Sequence, residues 1–443
     1  MQVAESNKFG FWSTVLLGIN GIIGSGIFLL PGQIMAHAGN LTIYVYLFVT
    51  LLVLSIAWCF AQCSMLFTRN GGSYIYAKEA FGEFIGFEIG MMRWVVGSIA
   101  WASLAVAFVT ALSAIWPPAL FEPMRSIILL TMIGGLGLLN IRGIQVVKGL
   151  SNAITIAKIL PLIMLALIGI FFIKQSNFIA ISEQENAVGT FGSASLILFY
   201  TFGGFEILPA TAGELKNPTK NIPKAVMIVI AFCAILYFFI QFVTTGILGV
   251  DLASSATPIA DVAEKLLGTT GKWIVTIAML VSIGGVNIAC SFFTPRAGAA
   301  MAEDQMVPLV IAEQNRYGSP SIAIVISVII TSVVALSGNF TQLVMISVIA
   351  RLTQYITTCI ATIVFYKKNN PGITFGKSPM KLVIPVVALM GLFWLLSQAT
   401  FQQIYLGFGA LVLVAPIYFI QKRRVLQQSQ NFAIEEQLAS SES

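Results

Sequence analysis

Charge is what this sequence has least of. Asp, Glu, Lys and Arg together make up 9% of its 443 residues, where a soluble domain carries about 25%. A chain so poor in charge does not fold wholly in water. Histidine occurs once, at His37, and a lone histidine near a helix end reads as a satisfied surface residue. The five cysteines (Cys59, Cys63, Cys233, Cys290 and Cys359) form no CxxC and no Cys/His spacing, so no metal and no cofactor are expected. All five fall in apolar runs and read as small buried packing residues. No phosphate-binding Gly-rich loop of the GxxxxGK type is present, which argues against direct ATP drive. Long polar stretches are missing too, so no soluble domain fits between the apolar runs. No cleavable signal is evident: the first apolar run is too long for an h-region and lacks an A-x-A site.

What the chain does have is apolar length. Hydrophobic residues make up 57% of it, and its mean hydropathy is +0.90. A membrane-spanning helix needs roughly 20 apolar residues. Twelve runs qualify, near 12–38, 41–67, 84–116, 125–140, 150–173, 190–212, 223–248, 271–300, 321–337, 341–366, 381–397 and 402–420. The expected fold is an all-α membrane protein of 12 transmembrane helices. Residues 1–11 form a cytoplasmic N-terminus, and the polar tail 421–443 reads as a disordered cytoplasmic end. An even number of spans puts both termini on one side. With that side cytoplasmic, 17 of the 24 Lys and Arg fall in cytoplasmic segments and four (Arg125, Lys174, Lys265, Lys272) in outer loops. That leaves Arg93, Lys158 and Arg351 inside spans. This is the positive-inside bias. It explains the net charge of +6 and calls for no nucleic-acid partner. The expected location is the cytoplasmic membrane, with lipid as the surrounding partner.

Two spans are interrupted. The first contains GIIGSGIFLLPG at 21–32, four glycines and a proline in twelve residues. Glycine costs a helix roughly 1 kcal/mol relative to alanine and proline about 3. The sixth contains FYTFGGFE at 199–206, with Glu206 at mid-span. Each interruption opens a block of five spans, 12–173 and 190–366. An odd count inverts the second block in the membrane, leaving spans 11 and 12 (381–420) as accessories. Paired broken spans at matching positions of inverted halves point to a transporter's central site.

The breaks have a chemistry of their own. Unwinding at Gly24, Ser25 and Gly26 frees backbone groups that hydrocarbon cannot satisfy, so this backbone must line a cavity or be buried in protein. The second half of span 1 begins near Gly26, with unpaired N–H groups and partial positive charge, and suits a carboxylate. The first half ends near Ile22, where carbonyl oxygens suit an ammonium. Carbonyls around Tyr200–Gly203 offer the same. Glycine permits close approach, and Ser25 adds a hydroxyl. Tyr200, Phe202 and Phe205 are candidates to close over a substrate. Lys158, in TIAKILPL, is a cation deep in a span and needs a partner or a task. Its ammonium is expected where a bound sodium would sit, bracing span 1 against span 8, and it is a candidate for proton coupling. Glu206 reads as an ammonium partner, a proton carrier or a gate held by hydrogen bonds.

GIIGSGIFLLPG, RNGGSYIYAKEAFG (69–82), FYTFGGFE with GELKNPTKNIPKA (213–225), and PRAGAAMAEDQMVP (295–308) resemble the amino acid–polyamine–organocation superfamily over most of the chain. The resemblance implies a LeuT-like five-plus-five inverted repeat with helices 1 and 6 unwound, and alternating access. It implies that Gly24, Ser25 and Gly26 meet the substrate carboxylate, that Ile22, Tyr200 and Gly203 meet its ammonium, and that Tyr200 is the gating aromatic. It makes Lys158 the lysine of sodium-independent members. One departure stands out. Where relatives often read alanine-methionine-alanine-arginine-aspartate-glycine, this chain has Ala300-Met301-Ala302-Glu303-Asp304-Gln305, losing a positive charge and a turn glycine. The function expected is a secondary active amino-acid transporter, not an enzyme, sodium-independent and working by proton symport or exchange. A polyamine or amino acid/amine exchanger is the alternative within the fold. A channel is the alternative outside it, and no repeated filter motif supports one.

Overall fold

The computed structural model describes residues 8–143, 148–182, 188–369 and 379–441. These residues are helical almost throughout. The α-helices in chain order are α1 (Phe11–Ile22), α2 (Gly26–Leu29), α3 (Pro31–Ala38), α4 (Thr42–Ser64), α5 (Ser73–Phe81), α6 (Glu83–Leu112), α7 (Met124–Ile141), α8 (Lys148–Gly169) and α9 (Gln175–Ser182). They continue with α10 (Val188–Thr201), α11 (Ile207–Ala210), α12 (Pro218–Leu248), α13 (Pro258–Glu303), α14 (Ser321–Ser337), α15 (Phe340–Asn369), α16 (Pro379–Ser397) and α17 (Phe401–Ser441). Among the described residues the only β pairings are isolated bridges, Phe9 with Leu215 and Gln314 with Pro320.

Eight helical stretches are long and apolar enough to cross a membrane, and four shorter apolar helices accompany them. Large apolar side chains cover the outside: Trp12, Leu51, Leu138, Phe171, Phe401 and Val412 are all exposed. Water does not tolerate such a surface over a whole molecule, whereas lipid tails do. The chain is an integral membrane protein.

Every expected apolar run carries a helix, and the first and sixth are the split ones, as α1/α2/α3 and α10/α11. Three elements were not expected. α5 and α9 are short helices between spans, and α13 begins at Pro258 and passes a non-helical Gly268 (φ 65°, ψ −161°) before entering its long apolar part. One expectation is overturned. The tail does not lose structure at Gln421, because α17 runs on to Ser441. Its last part is rich in Gln, Glu, Ala and Leu, strong helix formers that need no burial to hold a helix turn.

The interrupted helices sit inside the bundle. α1 packs against α8, α11 and α12, while α10 packs against α3, α4 and α15. At one end the chain ties both together: the Phe9 N–H donates to the Glu214 carbonyl at 3.0 Å, and the Lys216 N–H to the Phe9 carbonyl at 2.9 Å. On the other side of the break, buried Gln241 of α12 joins three helices. Its Oε1 accepts from the Tyr46 hydroxyl of α4 at 3.1 Å, and its Nε2 donates to the Pro31 carbonyl at 3.4 Å. Pro31 opens α3, so Gln241 holds the second half of the interrupted span in place. Gln241→Leu keeps the volume but removes the tie to α3 and leaves the Tyr46 hydroxyl unpaired, at about 1–3 kcal/mol. The expected outcome is a lower melting temperature of the detergent-purified protein. Unchanged melting would show that the Gln241 bonds contribute nothing to holding α3.

Candidate functional site

At Ile22 the helical backbone of α1 stops. Ile23 is extended (φ −73°, ψ 90°) although its N–H still donates to the Ile19 carbonyl at 2.8 Å. The following three residues are Gly24, Ser25 and Gly26, and helix resumes at Gly26. The segment is buried: Ile23 is 0% and Ser25 1% exposed. Its carbonyls cannot turn to water: the Ser25 carbonyl accepts the Phe28 and Leu29 N–H groups, and those of Ile22 and Ile23 find side chains. Lys158 of α8, 1% exposed, places its Nζ 2.5 Å from Asn20 Oδ1, 3.5 Å from the Asn20 carbonyl and 3.2 Å from the Ile23 carbonyl. The Tyr237 hydroxyl of α12 donates to the Ile22 carbonyl at 3.3 Å. The N–H groups of Gly24, Ser25 and Gly26 are different. Among the described residues they donate to no acceptor. The first turn of α2 leads into α3 without a lateral step, since the Leu30 N–H bonds to Gly26 and the Ile34 N–H to Leu30. These free amides therefore sit at the start of a two-part helix, where the positive end of the peptide dipoles lies.

The second break follows the same logic with other partners. α10 ends at Thr201 and the chain turns over 202–206 before α11. Gly204 takes φ +117°, a region that L side chains rarely adopt. Glu206 closes the turn: its Oε2 accepts the Gly204 N–H at 2.9 Å and the Tyr355 hydroxyl of α15 at 3.1 Å. Arg351, also of α15, lies 3.4 Å from Glu206 Oε1. Tyr200 crosses from the second break to the first, its hydroxyl 2.9 Å from Ser103 Oγ of α6 and 3.4 Å from Ser25 Oγ.

Glycine lets the two breaks touch. A Cβ on Gly21 would stand 2.9 Å from the Gly204 carbonyl oxygen, and one on Gly26 would stand 2.8 Å from Thr201 Cγ2. Gly204 in turn faces the Gly21 carbonyl, and Gly203 faces the Arg351 guanidinium. No other residue type fits these four crossings without displacing a backbone or a buried side chain.

The candidate residues thus divide. Ile22, Gly24, Ser25, Gly26, Tyr200, Gly203, Lys158 and Glu206 meet around the two breaks. Phe202 and Phe205, each 1% exposed, pack on side chains that hold the breaks: Phe202 on Tyr237 with ring centroids 5.4 Å apart, and Phe205 stacked on Tyr355 at 5.5 Å. Asn20, Ser103, Tyr237, Arg351 and Tyr355 belong to the site but carry no sequence mark of it, except that Asn20 and Arg351 are polar in apolar spans. Cys290 of α13 also belongs. Four cysteines are buried as expected, but Cys290 is only half-buried and lies within electrostatic reach of Lys158, Arg351 and Glu206. It packs against the core while keeping part of its surface accessible. A groove of about 1130 Å3 lies apart, against α6, α15 and α17. Its walls are apolar, and none of the breaks' residues line it.

The departing loop after α13 turns sharply at Gln305. Gln305 holds φ +59°, a left-handed conformation that disfavours side chains. Asp304 accepts a short hydrogen bond from the Tyr74 hydroxyl of α5, which pins the turn from outside. Tyr74 lies outside the spans, and burial beside Asp304 pushes its hydroxyl well above the ordinary range, so it stays a donor.

The profile of the amino acid permease family matches residues 9–432. An uncharacterized transporter of Mycobacterium tuberculosis is 31% identical over 386 residues, 81% of this chain and 80% of the relative. A counterpart in Mycobacterium bovis matches to the same extent. The serine/threonine exchanger SteT of Bacillus subtilis is 27% identical over 434 residues, 94% of this chain and 97% of the relative. The chain belongs to the amino acid permease family of the amino acid–polyamine–organocation superfamily, and it is a transporter of that family.

Proposed function

We propose that this protein exchanges small amino acids across the cytoplasmic membrane by alternating access, without sodium. The observation that carries the reading is the asymmetry of the first break. Its carbonyl side is capped by Lys158 and Tyr237, while the N–H groups of Gly24, Ser25 and Gly26 are left free in a buried place. Free buried amides at a helix start are an anion site. The carbonyls of Ile22, Tyr200 and Gly203 keep lone pairs for an ammonium. An α-amino acid carries both groups on one carbon and fits both breaks at once. A polyamine lacks the carboxylate and would leave the amides unpaired. Tyr200, bonded to Ser103 and Ser25 across the gap, is the residue to move when substrate enters. In this reading both termini are cytoplasmic, twelve spans cross the membrane, and the blocks 12–173 and 190–366 form a LeuT-like inverted repeat.

Exchange is preferred because the relative SteT is named a serine/threonine exchanger, so L-serine and L-threonine are the first probes. Proton symport is the second reading, and one observation favours it. Among the described residues the Lys158 ammonium is held by neutral oxygens alone, so it is the group whose charge a proton-coupled cycle would change.

Lys158 takes a cation's place on the α1 carbonyls, which makes sodium unnecessary. Replacing sodium by choline in proteoliposome uptake is expected to leave the rate unchanged, and strict sodium dependence would refute the assignment. Lys158→Ala strands the Asn20 and Ile23 oxygens, and uptake is expected to fall by more than about tenfold while the protein elutes as a folded species. Normal turnover of that variant would make the lysine merely structural.

Cys290 offers a direct probe of occupancy. Its four companions are buried, so maleimide labelling of the native protein reads this one thiol. Saturating substrate is expected to slow the labelling. An unchanged rate at a concentration that saturates transport would place the binding site elsewhere.

A further inference from the structure

We infer that Arg351 reads the side chain of the transported amino acid, and that the preferred substrate ends in a side-chain carboxylate. The inference rests on the substrate position proposed above and adds the substrate's class.

Backbone contacts at the two breaks recognise only the common core of an amino acid. Selectivity must come from a side chain that faces the same space. Tyr200 marks that space, its hydroxyl reaching Ser103 and Ser25 across the two breaks. Arg351 is 8% exposed, and its guanidinium occupies the place a side chain on Gly203 would take. It therefore lies directly against the turn whose carbonyls are proposed to hold the substrate ammonium.

The guanidinium is incompletely used. Arginine offers five N–H donors in a planar fork. Here Nη1 meets Glu206 Oε1 at 3.4 Å, longer than a good charge-assisted bond, and a second contact goes to Tyr355. The Nε is buried with no hydrogen-bond partner, which native proteins rarely leave so. Glu206 does not supply a fork-to-fork match, because its Oε2 is committed to the Gly204 N–H and the Tyr355 hydroxyl. A planar carboxylate is the group that fills such a fork bidentately.

Charge points the same way. Glu206 is shared by two cations, Arg351 at 3.4 Å and Arg93 within its field. A neutral zwitterion leaves that excess as it is. A substrate with a second carboxylate places one carboxylate on the Gly24–Gly26 amides and the other on Arg351, and relieves it.

The test is competition and uptake with the full chain in proteoliposomes, using L-aspartate, L-glutamate, L-glutamine, L-serine, L-threonine and L-lysine. Wild type is expected to prefer aspartate or glutamate over serine and glutamine by about tenfold to a hundredfold, the range a hydrogen bond to a charged group carries. Arg351→Gln is expected to lose that preference, the ratio of aspartate to serine affinity falling to within about threefold of one. Arg351→Lys, which keeps the charge but not the fork, is expected to recover part of it. Transport of serine or threonine with no response to aspartate or glutamate overturns the inference and leaves the proposed function standing. Failure of every amino acid to compete overturns the proposed function itself. An Arg351→Gln protein that folds but loses all substrates equally shows a structural arginine and also overturns the inference. Should that variant fail to fold, the wild-type panel decides alone.

Discussion

A buried break in a helix must be satisfied by something, and in this protein the first break is satisfied on one side only. Ile23 leaves the helix in a place with no water, so its carbonyl and those of its neighbours need donors. An unpaired buried group costs about 1–3 kcal/mol, and several at once would close the break back into helix. Lys158 prevents that. Its ammonium has three protons and finds three oxygens, Asn20 Oδ1, Asn20 O and Ile23 O. A lone buried ammonium would itself be costly, so break and lysine each remove the penalty of the other. The rest of the site follows from this pairing, because the interruption can only persist where α8 delivers the lysine. Pro161, one turn further along α8, removes a backbone donor and loosens that helix beside the contact.

The second break is held by a different helix. Glu206 turns its carboxylate back onto the Gly204 N–H, and α15 supplies Tyr355 and Arg351 to that carboxylate. The two breaks touch where neither has a side chain, Gly21 against Gly204. Bare backbone in contact is a poor cement but a good sliding surface, since few interlocked atoms must be parted to shift one segment on the other. The firm tie lies further out, where Phe9 bridges to Leu215, at the common end of both segments.

The position of the breaks was legible to the residue. Glycine and proline are so costly inside an apolar helix that a cluster of them marks an interruption without any three-dimensional knowledge, and α1 does stop at Ile22 with helix resuming at Gly26. Lys158 was legible for a related reason, as a charge where charge is expensive. Its partner Asn20 was not, because a helix face cannot be matched to a residue 138 positions away from periodicity alone. Tyr237 sits in an aromatic-rich stretch and looks like lipid-facing packing until its hydroxyl is seen on Ile22. The short helices α5 and α9 escaped for want of a ruler: apolar length finds spans and is silent on polar helices beside them. Phe202 and Phe205, flanking the glycines in sequence, suggest a lid, and the turn buries them on Tyr237 and Tyr355, partners that the sequence does not name. Gln305 shows a third limit, since sequence alone gives no hint that a glutamine will hold a glycine's dihedral.

Taken together, the clamps explain why a ligand at this place can do mechanical work. α8 and α12 hold the first break, α15 holds the second, and α6 meets both through Ser103 and Tyr200. Among the described residues, no single helix holds both interruptions by a charged group. Each break can therefore move with its own clamp, and the remaining links between them near Ser25 are one pair of hydroxyls at 3.4 Å and glycine contacts. A ligand that binds free amides on one break and carbonyls on the other adds a strong link where the protein has only weak ones. Binding energy spent there favours whichever arrangement brings the two breaks closest, and a ligand shifts an equilibrium only by such differential contact. The glycines that make the site accessible to a ligand's polar atoms are thus the same ones that leave the empty site loosely joined, and both properties arise from the absence of a Cβ.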